Sequence, residues 1–194
     1  ASQNLTISNC RILANNRGNG WEQQFFTAVS AIQMLLTVEY AGLNSQALIG
    51  QGVVNKAWQG TNDSELTGTT SILGNKSGRA TGTDGLVSIS YRGIENFWGN
   101  IWKFVDGFNI KDGFAYISNI NGNFISDKFD GQYKKVGELA HVNGYMSKAL
   151  INGAFDYGFI PSETLGTSST KYADYYYQNA SGAFVALLGG DWSG

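Results

Sequence analysis

From Phe25 to Leu36 the apolar side chains return every three or four residues: Phe25, Val29, Ile32 and Leu36, with Ala28 and Leu35 beside them. That period lays one apolar stripe along a helix, so the pattern predicts a core-packing helix over 22–40, with Gly42 as its stop. A different period sets in further on. Val87, Ile89 and Tyr91 alternate with Ser88 and Ser90, which predicts a strand with one buried face over 86–91. A second short strand is expected over 114–117. The run AFVALL, Ala183–Leu188, is apolar on both sides and bounded by Ser-Gly and Gly-Gly, so it predicts a central strand.

Between 42 and 85 the chain is rich in Gly, Asn, Ser and Thr, and Trp58 is its one large anchor. Loops and short strands are expected there. A structureless stretch of that length does not suit a compact domain, so ordered elements must lie within it. The stretch GAFDYGFIP, 153–161, is aromatic and expected to be partly buried. Residues 1–20 read as a polar N-terminal segment or linker.

Composition narrows the class. A chain of 194 residues with 42% hydrophobic content suffices for one domain with its own core, placed at 21–194. Gly is 26 of 194 and Pro appears once, while charged residues reach only 14%. Many glycines and aromatics with few charges point to short elements joined by tight turns, an α+β domain and not a helical bundle. The formal net charge is −2 and the basic residues are scattered, so no nucleic acid partner is expected. No apolar run is long enough for a transmembrane helix, and no membrane insertion is expected. The opening ASQNLTISN has neither an initiator Met nor signal-peptide character, which suggests a processed chain or a piece of a longer parent.

Candidate chemistry is sparse. Cys10 is the single cysteine, so an intrachain disulfide and a cysteine-built metal site are both excluded. The N-x-S/T triplets at Asn4, Asn62, Asn75 and Asn179 are what chance gives in a chain rich in these residues. A glycosidase needs two carboxylates across a cleft; Glu95 with Asp106, or Asp127 with Asp130, are the candidates, and nothing in the sequence sets their separation. His141 is the single histidine, no G-x-S-x-G elbow accompanies it, and a zinc site would need further ligands. No phosphate-cradling loop occurs. No catalytic residue, no metal and no cofactor is therefore assigned.

Aromatic residues carry the remaining signal. Tyr172, Tyr175, Tyr176 and Tyr177 form a dense cluster; on a strand, Tyr175 and Tyr177 face one way and Tyr176 the other. Such a face is either a contact surface or an ordinary aromatic sheet face. In YRGIENFWGNIWKFVDG, 91–107, Trp98, Trp102 and Phe104 read as core anchors, and Gly93, Gly99 and Gly107 as tight turns. Glu95, Asn96, Asn100 and Asp106 are then expected to satisfy backbone groups at those turns.

Several separated stretches, taken together, resemble a family of bacteriophage and prophage structural proteins. They are FFTAVSAIQMLLTVEYAGLNSQALIGQG, LGNKSGRATGTDGLVSISYRGIENFWGNIWKFVDGFNI, FIPSETLGTSSTKYADYYYQN and ALLGGDWSG, which cover most of the chain from Phe25 onward. The family is similar to a branch of the C-type lectin fold that also holds formylglycine-generating enzymes and the variable proteins of diversity-generating retroelements. WGNIWKFVDG resembles the G-N-V-W-E-W signature of that fold, and GGDWSG the start of its closing G-G-x-W motif. The resemblance implies a C-type-lectin-like α+β domain with a small twisted antiparallel sheet, one or two helices and long Gly/Asn-rich loops.

The resemblance also implies display on the virion, on a tail or head fibre, as a non-enzymatic protein that binds a bacterial surface glycan or protein. Carried over to this chain, the variable positions beside G-G-x-W are Asp191 and Ser193, flanking Trp192. Tyr175 and Tyr177 join them as candidate ligand-binding residues. Other virion proteins are implied as partners, as is a homo-oligomer, for which a trimer is one form. With Cys10 as its single cysteine, the chain lacks the late cysteines of the oxidase branch. Glu95-Asn96 lacks the proline of E-P-N, and Gly99-Asn100 follows Trp98 where W-N-D would stand, so no calcium-bridged sugar site is implied. The family continues past G-G-x-W to a G-x-R ending, so the domain is expected to lack its last segment at Gly194. A purely architectural virion role and a polysaccharide depolymerase are the alternative readings.

Overall fold

The computed structural model describes residues 5–57, 64–153, 159–170, 172–178 and 181–193. Trp58 and residues 154–158 of the GAFDYGFIP stretch lie outside them. The chain is a mixed α+β protein with few helices and small antiparallel sheets. It divides into two compact units, a division the sequence does not announce: one built from 1–41 and 104–186, the other from 42–103 and 187–194.

The first unit opens on helix α1 (Ile7–Asn15), where the sequence reads as a polar segment. Its start is fixed by a reciprocal cap. The Asn9 amide donates to the Thr6 hydroxyl at 3.2 Å, and the Thr6 amide donates to Asn9 Oδ1 at 3.1 Å. Helix α2 (Phe26–Tyr40) begins four residues later than the apolar period suggests. The reason is tertiary. The Gln24 carbonyl accepts from the Asp106 amide at 2.9 Å, and Phe25 makes a parallel bridge with Asp106, so these residues are held extended. The helix ends on Ala41 in the left-handed region (φ 50°), one residue before Gly42.

The line that α2 buries is Phe26, Val29, Ser30 and Leu36. Leu35, read from sequence beside the buried stripe, is exposed together with Met34 and Val38, the last at 81%. With Ala31, these residues form an uncharged row on the outer side of the helix at spacings of three, one and three.

Eleven strands follow among the described residues. Those lying wholly in the second unit are β1 (Gly78–Arg79), β2 (Ile89–Tyr91) and β3 (Ile94–Glu95). Next come β4 (Lys103–Lys111), β5 (Phe114–Ser118), β6 (Tyr133–Glu138), β7 (Gly144–Tyr145), β8 (Lys148–Ala149), β9 (Pro161–Glu163), β10 (Tyr175–Tyr176) and β11 (Ala183–Leu188). The largest sheet has the order β11-β4-β5-β6. Its registered pairs, β4 with β5 and β5 with β6, are antiparallel, with an irregularity between Ala115 and Tyr116. The run Ala183–Leu188 is thus an edge strand, not a central one, and of its residues only Ala186 is buried.

The core of the first unit gathers Phe26 and Val29 of α2 with Val105, Phe108, Ala115, Ile117, Tyr133 and Val136 of the sheet. Phe26 meets Phe108 edge to face at 4.9 Å between centroids. Burying rings of this size stabilises by about 2 kcal/mol each, and their geometry adds somewhat more.

The second unit is organised by the three-stranded sheet β1-β2-β3 around Val53, Ile89 and Tyr91. The sequence expects β2 to bury one face. All of its residues are buried, as is Ser88 before it, because both faces are covered. Ordered elements do lie within 42–85: a short helix α3 (Ser45–Leu48), a 3-10 turn at Ser71–Leu73 and β1.

Candidate functional site

The tyrosines of the cluster are placed by a two-stranded pairing in the first unit. Strand β10 runs antiparallel to β7, with Tyr175 opposite Tyr145 and Tyr176 opposite Gly144. Alternation along this extended segment then separates the rings. Tyr176 is half-buried, and burial pushes its hydroxyl up to about 12. Tyr175 and Tyr177 stand out at 55% and 75% exposure. Tyr145 meets Tyr175 at 5.1 Å and 89°, and Tyr175 meets Tyr177 at 6.5 Å and 39°. Three rings therefore form a continuous row, with Tyr145 half-buried at its base.

The segment that carries them is tied down on both sides. Before Tyr175, the Met146 amide donates to the Asp174 carbonyl at 3.0 Å. After Tyr177, the Gln178 amide donates to Asn143 Oδ1 at 3.0 Å, and the Gln178 side chain donates to the His141 carbonyl at 2.7 Å. His141 in turn lies 2.8 Å from Glu138, its ring against Gly113. A rigid aromatic row held this way loses little conformational freedom when a ligand lands on it.

The other predicted ligand-binding residues belong to the second unit. Asp191 Oδ1 accepts from both the Ser193 amide (3.1 Å) and the Ser193 hydroxyl (2.9 Å), so the two polar side chains close on one another. Trp192 is half-buried, and its carbonyl accepts from the Lys56 amide at 2.9 Å. The five predicted residues therefore fall into two groups in two separate units, Tyr175 and Tyr177 in one and Asp191, Trp192 and Ser193 in the other.

The candidate carboxylates are occupied with structural work. Glu95 accepts from the Gly68 amide (2.9 Å), the Thr70 amide (3.3 Å) and the Thr70 hydroxyl (2.7 Å). Burial acts to raise its carboxyl, but the hydrogen bonds from Thr70 and from the amides of Gly68, Thr70 and Thr69 together outweigh it and hold the carboxyl below its ordinary value. Asp106 is fully buried and grips Arg11 of α1, not a backbone group at a turn. Asp127 is exposed, and Asp130 pairs with Lys128 at 2.6 Å. Among the described residues, no group of three or more His, Cys, Asp or Glu is placed to hold a metal ion. No helix among them is long and apolar enough to cross a membrane.

Besides Asp106, the 91–107 stretch departs from expectation at Trp102 and Asn96. Trp98 is half-buried, its indole N–H donating to the Gly50 carbonyl at 3.0 Å, and Phe104 is half-buried, but Trp102 is exposed. Asn100 does satisfy backbone groups, accepting from the Glu65 amide at 2.7 Å and donating to its carbonyl at 3.1 Å. The Asn96 amide group has no hydrogen-bond partner among the described residues; what Asn96 supplies is its left-handed backbone, with φ at 52°.

Sequence reasoning missed Tyr145, which completes the aromatic row, and Lys103. The Lys103 ammonium donates to the carbonyls of Gly99 and Ile101, both at 3.0 Å, and burial pushes it down to about 8. A lone tyrosine after Gly144 carries no local signal, and the lysine shows its role only once the turn around it is folded.

No protein-family model, no curated protein and no solved structure matches the chain.

Proposed function

We propose that this chain is a non-enzymatic bacteriophage virion protein, displayed on a tail or head fibre, whose exposed tyrosine row binds a glycan or protein of the bacterial surface. The observation that carries the reading is the pair Tyr175 and Tyr177: large, exposed rings, Tyr175 set edge to face on Tyr145 and Tyr177 tilted against Tyr175, in a segment strapped at both ends. Two exposed tyrosines have no part in the core, and rings with polar tips suit the mixed apolar and hydroxyl faces of sugars. The C-type-lectin-like fold and the virion location rest on the motifs WGNIWKFVDG and GGDWSG. Asp191, Trp192 and Ser193 form a second candidate patch, an aromatic ring flanked by small polar groups.

The non-enzymatic reading is supported by the engagement of Glu95 and Asp106 in hydrogen bonds and an ion pair. Display in repeated copies, as a homo-oligomer, would compensate for weak single-site contacts. The uncharged outer row of α2, Ala31, Met34, Leu35 and Val38, supports association of copies. Adsorption of the protein to host cells and to wall polysaccharide, measured for Tyr175→Ala, Tyr177→Ala and Trp192→Ala, tests the proposal. Lost adsorption with intact assembly supports recognition; lost assembly supports the purely architectural alternative.

A further inference from the structure

Strand β11 is one edge of the largest sheet and β6 is the other. The two edges are finished differently. On β6, Lys134 and Lys135 are exposed and Glu138 stands at the end, so the edge is charged. Its backbone is also covered in part: the Asn152 side chain donates to the Val136 carbonyl at 2.6 Å, and Leu150 lies against Gly137. Charge and cover are the usual devices that keep a sheet edge from pairing with another chain. On β11, AFVALL, no residue is charged and none is proline. Among the described residues, the backbone of Ala183–Leu188 makes no hydrogen bond beyond the ladder with β4.

The open edge has a definite pattern. β11 runs antiparallel to β4, since the Asp112 amide donates to the Gly182 carbonyl at one end and the Gly99 amide to the Gly189 carbonyl at the other. Gly182 thus turns its backbone groups toward β4, and along an antiparallel strand that direction alternates. Phe184 and Ala186 therefore turn theirs toward β4, while Ala183 and Val185 direct their N–H and C=O groups outward. The side chains alternate too. Ala183 and Leu187 are exposed on one face with Val185 half-buried between them, and Ala186 is buried on the other.

From this edge we infer that β11 pairs with the β11 of a second copy of the chain, antiparallel across a two-fold axis, joining two four-stranded sheets into one. Two such strands offer each other the same outward N–H and C=O groups and set no like charges face to face. A partner strand bearing charges would find no counter-charge along β11. Six residues a side bury less than the roughly 1,200 Å² of a stable interface, so the dimer is reversible and concentration-dependent. The inference rests on the homo-oligomer of the proposed function and names the edge that forms it. It needs neither the tyrosine row nor host material, so pairing and adsorption can fail separately.

The test is sedimentation of the full chain over a rising concentration series, with residue-resolved amide exchange at both ends of it. A dimer should appear at high concentration. In it the amides of Ala183 and Val185 should exchange about tenfold more slowly than in the monomer, while those of Phe184 and Ala186, turned toward β4 in both, change little. Val185→Pro removes an outward N–H and no ladder donor, a change that an edge strand tolerates. The two-fold axis repeats the loss, so dimerisation should weaken roughly tenfold or more. Ala183→Lys, which charges the edge without touching the ladder, should weaken it as well, and Val185→Ile should retain it. A chain that stays monomeric throughout overturns the inference. So does a dimer that both edge variants leave intact, or one that Val38→Lys on α2 dissolves while the Ala183 and Val185 amides exchange as in the monomer.

Discussion

Arg11 and Asp106 meet in a forked ion pair: Nε of Arg11 lies 2.8 Å from both carboxylate oxygens of Asp106, and Nη2 lies 2.5 Å from one of them. Asp106 is 1% exposed, while Arg11 keeps an edge in solvent. The pair pins α1 to β4, and the Asp106 amide holds the Gln24 carbonyl from the same position. Removing the arginine would leave a buried carboxylate without its cation. Arg11→Met should therefore destabilise the protein by about 3 kcal/mol or more, measured by urea unfolding. A cost below about 1 kcal/mol would mean the pair is no tighter than a surface contact.

Gly99 occupies a place only glycine fits. Its φ is 75°, and a Cβ there would stand 2.8 Å from the Val53 amide nitrogen and 3.1 Å from its carbonyl oxygen. Both obstacles are backbone and cannot swing aside. Gly99→Ala should cost roughly 2 kcal/mol or more, combining the left-handed strain with the clash. Gly107→Ala has the same backbone strain (φ 76°) but meets the side chain of Phe124, a softer obstacle, so its thermal midpoint should fall less.

Alkaline stability should rise and then fall. Lys103 is depressed from its ordinary 10.5 to about 8 by burial, so between those values the unfolded chain binds more protons and stability grows with pH. Tyr176 is raised from 10.0 to about 12, so above 10 the folded chain keeps a proton that the unfolded chain has lost, and stability declines. Denaturant midpoints measured from pH 7 to 11 should show a maximum near pH 10. Lys103→Met should abolish the rising limb, and Tyr176→Phe should flatten the fall.

Glu95 serves the loop that wraps it. Its lowered carboxyl contributes stability that is present above the ordinary value of 4.5 and is lost as pH falls through the folded one. Glu95→Gln should shift the acid unfolding curve and leave binding unchanged. A depolymerase using Glu95 would instead release reducing ends from host polysaccharide and stop doing so in this variant.

Local rules recovered what is local. The apolar period found α2, alternation found the opposed faces of Tyr175–Tyr177, and the short strand expected at 114–117 stands as β5. The bounds of AFVALL were legible as β11, but its edge position was not, since strand order depends on partners far along the chain. Helix α1 escaped because its cap uses Asn9 where the usual signal is Glu or Gln, and because only Ile7 of its residues is buried, so no apolar stripe marks it. The start of α2 moved because Asp106, far away in sequence, claims Gln24 and Phe25. In the same way, Glu95 and Asp106 look like chemistry in a list of residues and turn out to be fastenings once their partners are seen. The site was half legible: the sequence names Tyr175 and Tyr177, while Tyr145 joins them only through the β7–β10 register.

The central claim is that the tyrosine row is a recognition surface. The most direct measurement is adsorption of the purified protein to host cell-wall polysaccharide, comparing the parent chain with the double variant Tyr175→Ala/Tyr177→Ala at matched thermal stability. Each truncated aromatic contact should cost about 1–2 kcal/mol, so the double variant should bind at least tenfold more weakly. Equal adsorption by the two proteins, with both folded, would contradict the claim.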